Sequence, residues 1–117
     1  MKAIVYHNYG TPDVLRLEEV EKPTPKADEV LVSVRAASIN AADWLLLNGK
    51  SFITRLIAGG LNKPQRKILG NDVAGRVEAV GSSVTKFKVG DEVYGDVSPR
   101  GGGGFAEYTV VAESIWR

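Results

Sequence analysis

Asn71 and Asp72 stand at the mouth of a glycine-punctuated apolar run, and Asn40 and Asp43 open a second stretch, NAADWLLLN. These amides and carboxylates are the side chains placed to do chemistry, and composition narrows what that chemistry is. The chain has no cysteine, which removes thiol nucleophiles, thiolate metal sites and disulfide-stapled secreted folds. Its single histidine, His7, excludes a His-rich metal centre and reads as a surface or hydrogen-bonded residue near a turn. Each candidate also has a purely structural role. Asn40 as a helix N-cap with Asp43 at N3 forms a capping-box variant, a device that contributes ~1 kcal/mol. Asn71 and Asp72 can satisfy backbone groups in a glycine-bounded turn, and Asp91, after Gly90, reads as a turn residue.

The elements that must position these residues are mostly strands. From Gly70 to Gly95, short alternating runs (Val73 to Val80, Val84 to Val89, Val93–Tyr94) are separated by glycines. That pattern predicts short, bent strands whose glycines mark bends, bulges or close backbone approach. Lys2 to Tyr6, Val14 to Val20 and Phe105 to Ala112 predict further strands, with Leu15 and Leu17 sharing a face. Val30 to Ala36 is the clearest, with Val30, Val32, Val34 and Ala36 on one side. Asn40 to Asn48 predicts a short helix ended by Gly49, and Lys50 to Lys67 a short amphipathic helix plus a basic loop. That loop, with Arg55, Lys63, Arg66 and Lys67, is usually only solvated; its sharper reading is a cover over the cleft that holds an anionic group. Trp44 and Phe52 read first as core side chains, and second as flat apolar walls of a pocket.

The length, 117 residues, suits one domain, and Lys+Arg 15 against Asp+Glu 14 leaves a net charge of +1. Such a balance does not favour a nucleic-acid partner. No run approaches membrane-spanning length, so the expectation is a cytoplasmic protein with no membrane partner. Many short strands with one or two short helices make the expected fold mainly β, an irregular barrel.

Four ordered motifs carry a family likeness: ASIN-AAD from Ala37, GNDVAGRVEAVG from Gly70, FKVGDEVYG from Phe87 and GGFAEYTVV from Gly103. Together they resemble the GroES-like catalytic domain of the medium-chain dehydrogenase/reductase superfamily, and within it the zinc-independent quinone oxidoreductase branch. The resemblance implies a GroES-like irregular β-barrel over residues 1–117. It implies hydride transfer from NADPH to a quinone or α,β-unsaturated carbonyl. By it, Asn40 and Asn71 are the catalytic candidates, Asn40 and Asp43 face the nicotinamide, and Trp44, Phe52 and Asp72 line the substrate pocket. Zinc-dependent members place a cysteine at the position of Asn40, a histidine at Asn71 and a glutamate at Asp72. Asparagine is a poor zinc ligand, so the expectation is no metal.

The departures from the family pattern matter as well. A tyrosine common in quinone reductases two residues after the aspartate is here Leu45, so no proton donor carries over. The glycine fingerprint of the family's dinucleotide-binding domain is missing: RGGGG precedes a strand instead of opening a helix. The chain ends on Ser114-Ile115-Trp116-Arg117 with no polar tail, which suggests part of a longer protein, inactive alone, with apolar surface exposed around Ile115 and Trp116. The resemblance is compatible with a homodimeric parent. A different class remains open: GroES-like barrels also serve as non-enzymatic co-chaperonin modules, which assemble into rings and carry a mobile polar loop.

Overall fold

Runs of β-branched residues with period-two burial build the sheets. The computed structural model describes residues 1–39, 47, 49, 68–97 and 103–117. Its strands are β1 (Lys2–Val5), β2 (Arg16–Glu19), β3 (Glu29–Ser38), β4 (Asp72–Val80), β5 (Glu92–Asp96) and β6 (Tyr108–Ala112). β1 and β2 form an antiparallel ribbon, while the others form an antiparallel sheet in the order β5-β4-β3-β6. The free edge of β1 meets the chain ahead of β6, where Ile4 N–H donates to the Phe105 carbonyl at 2.9 Å. The mainly β class is as expected, but the sheets are not closed into a barrel. Among the described residues no helix is long and apolar enough to cross a membrane. Apart from Leu47, which is helical and buried, the expected helices over 40–48 and within 50–67, with Asn40, Asp43, Trp44, Phe52 and the basic loop, lie outside the described residues.

The core gathers on one face of the four-stranded sheet. Val30, Val32, Val73, Val77, Val93, Val97, Val111 and Trp116 pack into one buried cluster. β4 shows the alternation most cleanly, with Val73 and Val77 inward and Ala74, Arg76 and Glu78 outward. In β3 the alternation fails. Leu31 is buried beside Val30 and Val32, and Ala36 is exposed, because register shifts at Leu31/Val32 and Val34/Ala36 rotate the strand.

Three local expectations are corrected. Leu17 does not share a core face with Leu15: it is 70% exposed, while Leu15, ahead of β2, packs on the Tyr6–Leu69 cluster. The run Val84 to Val89 is not a strand. Its backbone turns back on itself, with Val84 N–H on the Gly81 carbonyl and Asp91 N–H on the Lys88 carbonyl. Tertiary contacts hold it there: Val84 and Phe87 pack on the core, and the Glu113 carboxylate accepts the N–H groups of Thr85 and Lys86, both at 3.1 Å. Finally, Trp116 is only 2% exposed, so the chain end closes the core where exposure was expected.

The Glu113 contact makes a direct prediction. A carboxylate accepting two backbone N–H groups forms charge-assisted bonds. Glu113→Ala should therefore cost about 1–2 kcal/mol in chemical denaturation, with loss confined to the 82–88 loop in hydrogen exchange. A change under ~0.3 kcal/mol would show that water replaces the carboxylate without cost.

Candidate functional site

Gly70 sets the entry to β4. Its φ of +99° lies in the region that favours glycine, and a Cβ there would meet the Phe105 ring and backbone nitrogen at 2.8 Å. The Gly70 carbonyl accepts the N–H of Gly104 at 2.9 Å, which ties the start of β4 to the stretch before β6. The next residue, Asn71, is half-buried, and its carbonyl accepts the N–H of Val97 at 2.6 Å.

Asp72 then begins β4, and the sheet register surrounds it with polar neighbours. Ser38 of β3 and Asp96 of β5 are its cross-strand partners on either side. The Ser38 hydroxyl donates to the Asp72 carboxylate at 3.2 Å. Serine, aspartate and aspartate thus form one row across three strands. Both aspartates engage further groups as well.

This row borders an open cleft of about 690 Å³. Its walls come from the end of β3 (Ala36, Ala37, Ser38), the start of β4 (Asp72, Val73, Ala74), the end of β5 (Tyr94, Gly95, Asp96) and the chain's last turn (Ser114, Ile115, Arg117). Small side chains make the floor, and Tyr94, 64% exposed, stands on it. The cleft offers two carboxylates, the hydroxyls of Ser38, Tyr94 and Ser114, and a guanidinium over an apolar base. It is suited to orienting a polar group by hydrogen bonds. Among the described residues no group of three or more His, Asp or Glu side chains could hold a metal ion.

The structure separates the two neighbouring candidates. Asp72 lines the cleft; Asn71 is not among its lining residues, since successive residues of an extended chain face opposite ways. The other two site aspects are clear. His7 is exposed and its Nε2 lies 2.9 Å from the Glu18 carboxylate, a surface contact between the start of the chain and β2. Asp91 caps its own turn by accepting the Lys88 N–H at 3.0 Å. Ser38, Asp96 and Arg117 escaped the sequence reading. Pairing outward from a hairpin centred at Val84 would have set Asp96 opposite Asp72, but nothing local marked Ser38 or Arg117.

A mainly β domain of this topology, with a glycine-turned entry to its central strand, defines a structural class, and comparison with known proteins places it. The Alcohol dehydrogenase GroES-like domain family matches residues 26–116, and this chain belongs to that family. Among curated relatives it is 40% identical over 116 residues to a chloroplastic quinone-oxidoreductase homolog of Spinacia oleracea, covering 98% of this chain and 33% of the relative. It is 43% identical over 122 residues to a chloroplastic NADPH-dependent alkenal/one oxidoreductase of Arabidopsis thaliana, covering 98% and 30%. The solved quinone oxidoreductase of Coxiella burnetii superposes with a TM-score of 0.85 at 30% identity, over 100% of this chain and 36% of that one. The chain thus spans about a third of the length of these relatives.

Proposed function

We propose that residues 1–117 are the substrate-binding, catalytic domain of a longer, zinc-independent oxidoreductase that reduces a quinone or α,β-unsaturated carbonyl with NADPH. One observation carries this reading: 43% identity, over 98% of the chain, to a protein named for NADPH-dependent reduction of alkenals and enones. The names of the relatives give no support to a co-chaperonin module.

NADPH, when bound, would supply the hydride. Among the described residues no strand–glycine loop–helix unit exists to cradle its pyrophosphate, so a further domain would hold most of the dinucleotide. This domain's own part is to wall the pocket, exclude water and present hydrogen-bond donors to the substrate oxygen. By the family resemblance Asn40 and Asn71 would supply side-chain amides for that role, Asn71 from the side of the chain turned away from the Asp72 cleft, and neither is a good zinc ligand.

The test uses the longer protein and the 117-residue chain side by side. The longer protein should oxidise NADPH with a quinone or enone acceptor, contain no stoichiometric zinc, and be matched by no turnover from the 117 residues alone. In it, Asn71→Ala should lower kcat by about 10²-fold, the scale of losing one preorganised donor. Folding should survive, because the Val97 contact is made by the Asn71 backbone carbonyl and not by its side chain. Stoichiometric zinc, or an Asn71→Ala enzyme with unchanged kcat, would overturn this assignment.

A further inference from the structure

The outer edge of β2, in the two-stranded ribbon, complements itself. The Val20 N–H donates to the Met1 carbonyl at 2.8 Å, so the backbone groups of Val20 point to the β1 side. Along an antiparallel ladder this direction alternates from residue to residue. Continued through the register, Arg16 and Glu18 also turn their backbone groups to β1, and Leu17 turns its N–H and carbonyl to the open edge. Other edges are engaged. At β5 the Tyr94 N–H donates to the Arg117 carbonyl at 3.0 Å, and the Arg117 N–H donates back to the Tyr94 carbonyl at 2.8 Å. Beside β6 the Lys22 ammonium lies 4.1 Å from the centre of the Tyr108 ring. No described residue pairs with the outward groups of Leu17, and its side chain is 70% exposed. Nor does β2 carry the proline, lysine or bulge that commonly blunts an edge.

We propose that the Arg16–Glu19 edge of β2 pairs antiparallel with the same edge of a second copy of this chain, about a two-fold axis at Leu17. Leu17 then faces its own counterpart, and the two exchange both outward backbone bonds. On either side, Arg16 of each copy falls opposite Glu18 of the other, which makes two opposite-charge pairs. Charge also selects this register. Two-fold pairing about Arg16, Glu18 or Glu19 would set like charges opposite each other. Both groups keep atoms for the new pairs. Arg16 engages the Asp13 and Leu15 carbonyls through Nη1 alone, and Glu18 meets His7 through Oε2 alone. Ile4, 41% exposed, is the cross-strand partner of Leu17, so the joined ribbons carry one apolar row of two isoleucines and two leucines. Two strands alone are marginal, and pairing makes four. The contact is short, below the roughly 1,200 Å² of stable interfaces, so the dimer is a weak, concentration-dependent one.

Sedimentation equilibrium of the 117-residue chain tests this without substrate or cofactor, so its outcome is separate from that of the proposed activity. Across about 10 μM to 1 mM, the range of weak association, the mean mass should rise from one chain towards two. Three further samples are run: the Arg16→Glu protein, the Glu18→Arg protein, and an equal mixture of both. Each variant alone sets like charges opposite each other and should dimerise at least about tenfold more weakly. In the mixture opposite charges face again, and dimers should return to the level of the unaltered chain. Both substitutions lie on exposed or half-buried positions, and circular dichroism checks that each variant keeps its sheets. An unaltered chain that stays monomeric at 1 mM, variants that self-associate as it does, or a mixture that fails to restore the dimer would each overturn the proposal.

Discussion

Gly75→Ala should destabilise the domain by about 3 kcal/mol, and Gly75→Val should prevent folding altogether, the scale expected when a core is overpacked against backbone. Gly75 sits inside β4 opposite Val34, beside the register shift that bends β3. A Cβ there would run into the carbonyl oxygen of Ser33 and come within 2.7 Å of the Val32 side chain. Since the obstacle is backbone in a central strand pair, it cannot rotate away. Gly90 is the control. Its φ of +97° carries strain for any other residue, yet a Cβ there would meet nothing within 4 Å. Gly90→Ala should therefore cost only about 1 kcal/mol. Urea denaturation of the two variants checks the contrast, and equal losses would mean that the β3–β4 contact yields more readily than its geometry implies.

Trp116→Ala should cost about 3–5 kcal/mol, the usual range for deleting a large buried aromatic. Against a total stability of about 5–15 kcal/mol, that leaves the domain marginal. The indole lies among Val30, Val32, Val73 and Val111 and covers Gly95 of β5. Its Nε1 is buried with no hydrogen-bond partner among the described residues. Trp116→Phe gives up no hydrogen bond and should lose only about 1–2 kcal/mol, for the smaller ring. Thermal melts of both variants, read by tryptophan-independent circular dichroism, separate the contributions. A phenylalanine variant as damaged as the alanine one would show that the indole nitrogen has an acceptor, contrary to the packing described.

Much of the sheet was legible because alternation is a local signal. Val73 and Val77 announce the buried face of β4, and the strand appears where they predict. The failures share one cause. Val84, Phe87 and Val89 alternate as well as a strand does, but strand formation also needs a neighbour with a free backbone edge. Here Val77 pairs across to Asp91 and closes the hairpin, leaving the intervening residues to turn outside the ladder. Trp116 misled for a related reason. Being next to the last residue says nothing about burial, which depends on the open core beside β5. For the site, the pairing of Asn71 with Asp72 was visible, but the pleat that sends only Asp72 into the cleft was not.

The amino-acid sequence by itself determined the mainly β class, the family and the lack of thiolate or poly-histidine chemistry. Residue type, alternation and motif order are properties of the chain, whatever it packs against. Only the tertiary structure decided which residues share the cleft. Ser38, Asp72 and Asp96 are far apart in sequence and become neighbours through strand register, which is set by turns, bulges and core packing acting together. The same holds for the edge of β5: Tyr94 meets Arg117 because the tryptophan beside it is buried, and no local pattern encodes that meeting.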